Sequence, residues 1–113
     1  MGGCSLMSGT GRITIVWGGD EREFRLAIGQ LRRLQEKTGV GPMAMATRLA
    51  AGTFMVDDVR ETIRLGLIGA GMTPSEADEL VKEYVDERPL LENVLTAKEV
   101  IMAALVGDPN DEV

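Results

Sequence analysis

The run Arg12 to Gly41, RITIVWGGDEREFRLAIGQLRRLQEKTGVG, constrains the fold more than any other stretch. A β-branched, aromatic segment (Arg12–Trp17) and a charged segment alternating around Phe24 and Leu26 (Glu21–Leu26) flank Gly18-Gly19-Asp20. β-branched and aromatic side chains fit a pleated strand, and consecutive glycines supply the positive-φ backbone that a tight hairpin turn demands. The reading is a β-hairpin, with Ile13, Ile15 and Trp17 on one face of the first strand and Phe24 and Leu26 on one face of the second. A lone two-stranded hairpin is marginal in water, so it must pack on helices or pair through an exposed edge with another chain.

The rest of the chain supplies the helices. Ala27, Leu31 and Leu34, with Ile28 beside them, have the three-and-four spacing of an amphipathic helix over Ala27–Thr38. Gly39 stops it and Pro42 starts the next, an alanine-rich helix over Pro42–Ala51 closed by Gly52. Val59, Ile63, Leu67 and Ala70 recur at every fourth position and predict a third helix over Val56–Ala70. Asp57, Asp58 and Glu61 near its start face the positive end of the helix dipole. Gly66, Gly69 and Gly71 loosen its end and admit a close neighbour. Thr73-Pro74-Ser75-Glu76 is a capping box with proline at the first helical position. That helix runs through Ala77, Leu80, Val81, Tyr84 and Val85 to Arg88-Pro89, and a last one from about Leu90 to Val106 ends at Gly107.

The expected architecture is α+β, mostly α: an N-terminal β-hairpin packed on a bundle of about five short helices. Its organisation is a flexible, glycine-rich tail over residues 1–11, partly a cloning remnant, a single globular domain over 12–107, and a frayed tail over 108–113. At 113 residues one core suffices, and with aromatic residues at only 4% that core has to be aliphatic.

Composition narrows function by exclusion. The chain has no histidine, which removes the commonest general base and the usual imidazole ligands. Asp57, Asp58 and Glu61 could hold a divalent cation, but adjacent acids at a helix start are accounted for by the dipole. Gly66–Gly71 follows a helix and does not join a strand to one, so it is no phosphate cradle. No catalytic residue, metal site or cofactor is implied. The one cysteine, Cys4, has no partner in the chain and fits a reducing, cytoplasmic setting. The leader lacks a secretory apolar run, and no stretch reaches the roughly 18 apolar residues of a membrane span.

The net charge of −6 is unevenly placed: seven basic side chains face four acidic ones through residue 52, and five face fourteen after it. Such a two-faced molecule suits self-association or a basic partner, and its acidic half would repel duplex nucleic acid. A helix-turn-helix over residues 27–51 would bring only Arg32, Arg33 and Arg48 to DNA, which leaves a small DNA-binding regulator as a second alternative. Seven residues are candidates for contact with another protein. Ile15, Trp17 and Phe24 belong to the hairpin, and Met43, Met45, Phe54 and Met55 lie around the second helix and its exit, where flexible, polarizable side chains suit an adaptable surface.

The blocks EFRLAIGQLRRLQEKTGVGPMAM, GTFMVDDVRETIRLGLIGAGM and YVDERPLLENV together resemble the small tail-gene protein of gene transfer agents and related siphophages, over roughly Gly11 to Gly107. That family has been labelled both tail tube protein and tail assembly chaperone, and its blocks are scaffold features without catalytic residues. The resemblance implies a helical adaptor made with the tail genes. Such an adaptor binds the long tape measure protein, keeps it soluble until tail tube protein polymerises around it, and associates with further copies of itself. A structural tube subunit is the alternative; two short strands among about five helices offer little sheet with which to close a ring.

Overall fold

A computed structural model describes residues 10–107. Strand β1 (Ile13–Trp17) pairs antiparallel with β2 (Asp20–Phe24), Ile13 opposite Phe24 and Trp17 opposite Asp20. Gly18 and Gly19 form the two-residue connection with φ of 65° and 80°, the left-handed pair that matches strand twist and that only glycine adopts without cost. The expected alternation holds. Trp17, Phe24 and Leu26 are buried, Ile13 and Ile15 pack partly buried against the core, and Val16 on the other face is 74% exposed.

Helices α1 (Ile28–Thr38) and α2 (Pro42–Ala51) end on Gly39 and Gly52, with φ of 78° and 80°. Helix α3 (Val56–Gly69) is followed by α4 (Pro74–Val81), whose Thr73 hydroxyl accepts the Glu76 N–H at 3.2 Å while Glu76 Oε1 accepts the Thr73 N–H at 3.3 Å. A π-type turn over Lys82–Asp86 extends α4, and past Pro89 a single 3-10 turn (Leu90–Asn93) leads into α5 (Val94–Val106). The α+β architecture, mostly helical with its hairpin at the N-terminus, is the one the sequence predicts.

Helix α3 is the central element, touching α1, α2, α4, α5 and β2. Around it Phe24, Leu34, Met45, Ile63, Leu67 and Ile101 fill one aliphatic core. The α3 glycines admit the chain leaving β2. The Arg25 N–H donates to the Gly66 carbonyl at 2.9 Å, and a Cβ on Gly69 would run into the Arg25 carbonyl oxygen.

Three details depart from the sequence reading. Ile28, expected beside the apolar stripe of α1, is exposed, because at 100° per residue it lies about 120° around the helix from Leu34, and only Leu31 and Leu34 reach the core. Glu61 does not serve the start of α3; it lies in the second turn, buried between Arg60 and Arg64. Packing also begins one residue before Arg12: Gly11 (φ 87°) is buried against the backbone of Ala103 and Ala104. Cys4 and most of the two expected tails lie outside the described residues.

Candidate protein-docking surface

The hairpin is fixed to the C-terminal half by one buried polar contact. The Trp17 indole N–H donates to Asn93 Oδ1 at 2.7 Å, and Asn93 Nδ2 donates to the Tyr84 carbonyl at 2.9 Å. Asn93 closes the 3-10 turn and adjoins α5, so a single side chain joins β1, the π-type turn and α5. Aromatic stacking reinforces the joint. The Trp17 ring stands edge-on to Phe24 at 5.8 Å between centroids and tilted on Tyr84 at 5.7 Å, and the Tyr84 ring lies against Gly18 with the Arg88 guanidinium 5.8 Å above it.

Pinned on that side, the hairpin exposes Val16 on its other face and leaves Thr14 half-buried beside it. The sheet has only two strands, so each has an edge without a strand neighbour. In an antiparallel ladder closed by a two-residue turn, Trp17 and Asp20 exchange hydrogen bonds, as do Ile15 with Arg22 and Ile13 with Phe24. The N–H and C=O groups of Thr14 and Val16 therefore point away from β2, and among the described residues no backbone group pairs with them. Val16 adds an exposed apolar side chain beside that row.

The seven candidate residues separate into three groups. Trp17, Phe24 and Met45 are buried and carry the core, so they reach a partner only if the domain opens. Ile15 and Phe54 are partly buried. Met43 and Met55 are exposed. Met43 and Met45 are two residues apart on a helix that turns 100° per residue and so face opposite ways. The structure brings Met55 together with Val56, also exposed, on the rim of a shallow groove of about 400 Å³ that Lys37, Thr38 and Arg48 line from the other side. Buried Asp58 holds this rim in place. Its carboxylate accepts the Met55 N–H at 2.7 Å and two bonds from the Arg48 guanidinium at 2.9 and 3.2 Å, and the Thr62 hydroxyl donates to the Asp58 carbonyl.

A second, more polar groove of about 530 Å³ lies between α3 and α4. Arg60 bonds Asp86 and Glu61, and Arg64 bonds Asp78 and Glu61. The hydrogen bond to Asp86 is the chief cause that raises the Arg60 pKa, as the bond to Asp78 does for Arg64, with burial opposing both. Each cation is thus already matched by carboxylates, and the arrangement works as a brace between helices. Among the described residues no group of three or more His, Cys, Asp or Glu is placed to hold a metal ion, and no helix is long and apolar enough to cross a membrane.

Sequence reasoning missed Val16, Val56 and a row on the last helix: Leu91, Leu95, Met102 and Val106 are all exposed. The last helix is apolar nearly all round, and the usable signal was that very excess, since one helix face cannot bury two apolar stripes.

The family model described as phage tail tube protein, GTA-gp10, matches residues 10–107, the same span that the structure describes. No curated protein and no solved structure matches the chain.

Proposed function

The chain belongs to the phage tail tube protein, GTA-gp10, family, and we propose that within tail assembly it acts as a chaperone. In this reading it binds the tape measure protein in the bacterial cytoplasm, keeps it soluble, and yields it to tail tube protein as the tube polymerises. The observation that carries the reading is the open edge of β1 on a hairpin whose opposite face is locked by Trp17 and Asn93. A rigid edge with unpaired Thr14 and Val16 backbone groups takes up an extended apolar segment by strand addition, where main-chain bonds give affinity without demanding one sequence. Exposed Met43, Met55 and Val56 offer adaptable apolar contact to the rest of a client. Neither a catalytic step nor nucleic-acid binding is part of this function.

The family's description as a tail tube protein favours a second reading, in which the chain is itself a tube subunit and the same edge pairs with its neighbour. Two strands of five residues provide a small sheet for a ring, which supports the chaperone. Co-expression with the tape measure protein tests the choice. The wild-type chain is expected to solubilise and co-purify with it, and Val16→Pro, which removes an outward N–H without touching the hairpin's own bonds, is expected to lose capture while remaining folded. Failure of the wild type to co-purify, or abundant recovery of the chain by mass spectrometry of finished particles, would overturn the chaperone in favour of the subunit.

A further inference from the structure

The exposed row on the last helix is a pairing surface. Leu91 (75% exposed), Leu95 (62%), Met102 (36%) and Val106 (65%) leave uncovered apolar side chains along the whole of α5 and the turn before it. At 3.6 residues per turn, Leu95, Met102 and Val106 fall within about 40° of one another, so they form a straight stripe. The stripe is interrupted midway, where Lys98 and Glu99 flank it on opposite sides. Neither makes an ion pair or side-chain hydrogen bond among the described residues.

We propose that α5 pairs, parallel and in register, with α5 of a second copy of this chain. Charge complementarity selects both occupant and direction. In a parallel two-fold pair, a residue on one flank of the stripe meets the residue from the opposite flank of the partner. Lys98 of each copy then lies beside Glu99 of the other, about one residue's rise away, while Leu91, Leu95, Met102 and Val106 each meet their own counterparts. An antiparallel pair would put Lys98 beside Lys98 and Glu99 beside Glu99. Four apolar side chains per copy make a small interface, and the dimer should be weak and concentration-dependent. This pairing does not rest on the chaperone reading and applies equally to a tube subunit.

Sedimentation equilibrium of the full chain should show a reversible dimer at micromolar concentrations. Lys98→Glu should weaken it about tenfold by setting two glutamates against each other on both flanks, and the double reversal Lys98→Glu with Glu99→Lys should restore it. Register is read by oxidation in a Cys4→Ser background: Leu95→Cys alone should form an intermolecular disulfide. A monomer at all concentrations overturns the proposal. So does a dimer indifferent to Lys98→Glu, or one in which Leu95→Cys crosslinks only when mixed with Met102→Cys. Both charge variants sit on the surface, and an unchanged circular dichroism spectrum separates lost pairing from lost folding.

Discussion

Replacing Asn93 by leucine should cost far more than an exposed-looking asparagine in the sequence LLENV would suggest. Asn93 is buried and satisfies two groups that belong to other elements, the Trp17 indole N–H and the Tyr84 carbonyl. Leucine has the same number of side-chain heavy atoms, though its methyl groups are bulkier, and strands both. An unsatisfied buried polar group costs about 1–3 kcal/mol, so the pair should cost about 3 kcal/mol, with the partly buried Tyr84 carbonyl contributing the smaller share. For a domain of this size that corresponds to a fall in Tm of about 10–15 °C. The decisive measurement is a double-mutant cycle with Trp17→Phe, followed by urea denaturation monitored by far-ultraviolet circular dichroism, since Trp17 is the only tryptophan. Within the Trp17–Asn93 pair each single variant leaves the other member unmatched, whereas the double variant removes both and leaves only the Tyr84 carbonyl, so it should be more stable than the sum of the singles by about 1–2 kcal/mol. Additivity within about 0.5 kcal/mol, or a loss below that for Asn93→Leu, would refute the claim that this contact holds the hairpin.

Gly69→Ala should destabilise strongly despite alanine's better helix propensity, because its Cβ meets the Arg25 backbone carbonyl. Gly66→Ala, whose Cβ meets side chains of Val100 at 3.0 Å and Phe24 at 3.2 Å, should be the milder lesion by thermal melting. Asp58→Asn should cost about 1.5–3 kcal/mol in chemical denaturation by weakening charge-assisted bonds to Arg48 and Met55. Arg64→Met, which removes one of two cations from buried Glu61, should lower Tm clearly. Glu92→Gln, which removes an exposed 3.5 Å pair with Arg88 and leaves the Arg88 contact with Tyr84 in place, should change stability by less than about 0.5 kcal/mol.

Where local chemistry decides the structure, the sequence showed it. Gly18-Gly19 located the turn, Gly39 and Pro42 the break between α1 and α2, and Thr73-Pro74 the start of α4, each through backbone demands satisfied within a few residues. What the sequence concealed depends on partners far along the chain. The bond from Trp17 to Asn93 spans 76 positions, and nothing near Asn93 marks it as buried. Arg60 and Arg64, the cations beside Glu61, are its neighbours in sequence, but Asp86 and Asp78, which hold those arginines from the other side, lie 26 and 14 positions away. Two of the candidate docking residues are buried for a similar reason. Trp17 and Phe24 have the size of interface anchors, but the faces they occupy are spoken for by α3 and the π-type turn, and exposure passes instead to Val16, the strand position with opposite phase.

The two proposed surfaces are mechanically linked through one residue. Asn93 adjoins the first turn of α5 and also fixes Trp17 at the end of β1, so the pairing helix and the docking edge move as one body. A two-fold axis parallel to α5 leaves both copies pointing the same way along it, so the two β1 edges of the proposed dimer lie at the same level along the axis, on opposite sides of it. Strand addition on five residues is a weak interaction taken singly. Two edges held on one rigid pair make the second contact intramolecular, and avidity gains of about 10²–10⁴ are available without any new contact, provided that both edges can engage together. A long, apolar client offers such paired sites repeatedly, whereas a short peptide does not. On the proposed chaperone reading the weak dimer has a use: at low client density the copies would separate and release, and along a crowded client they would reinforce one another, the behaviour that reading requires of a cover that comes off when the tube arrives.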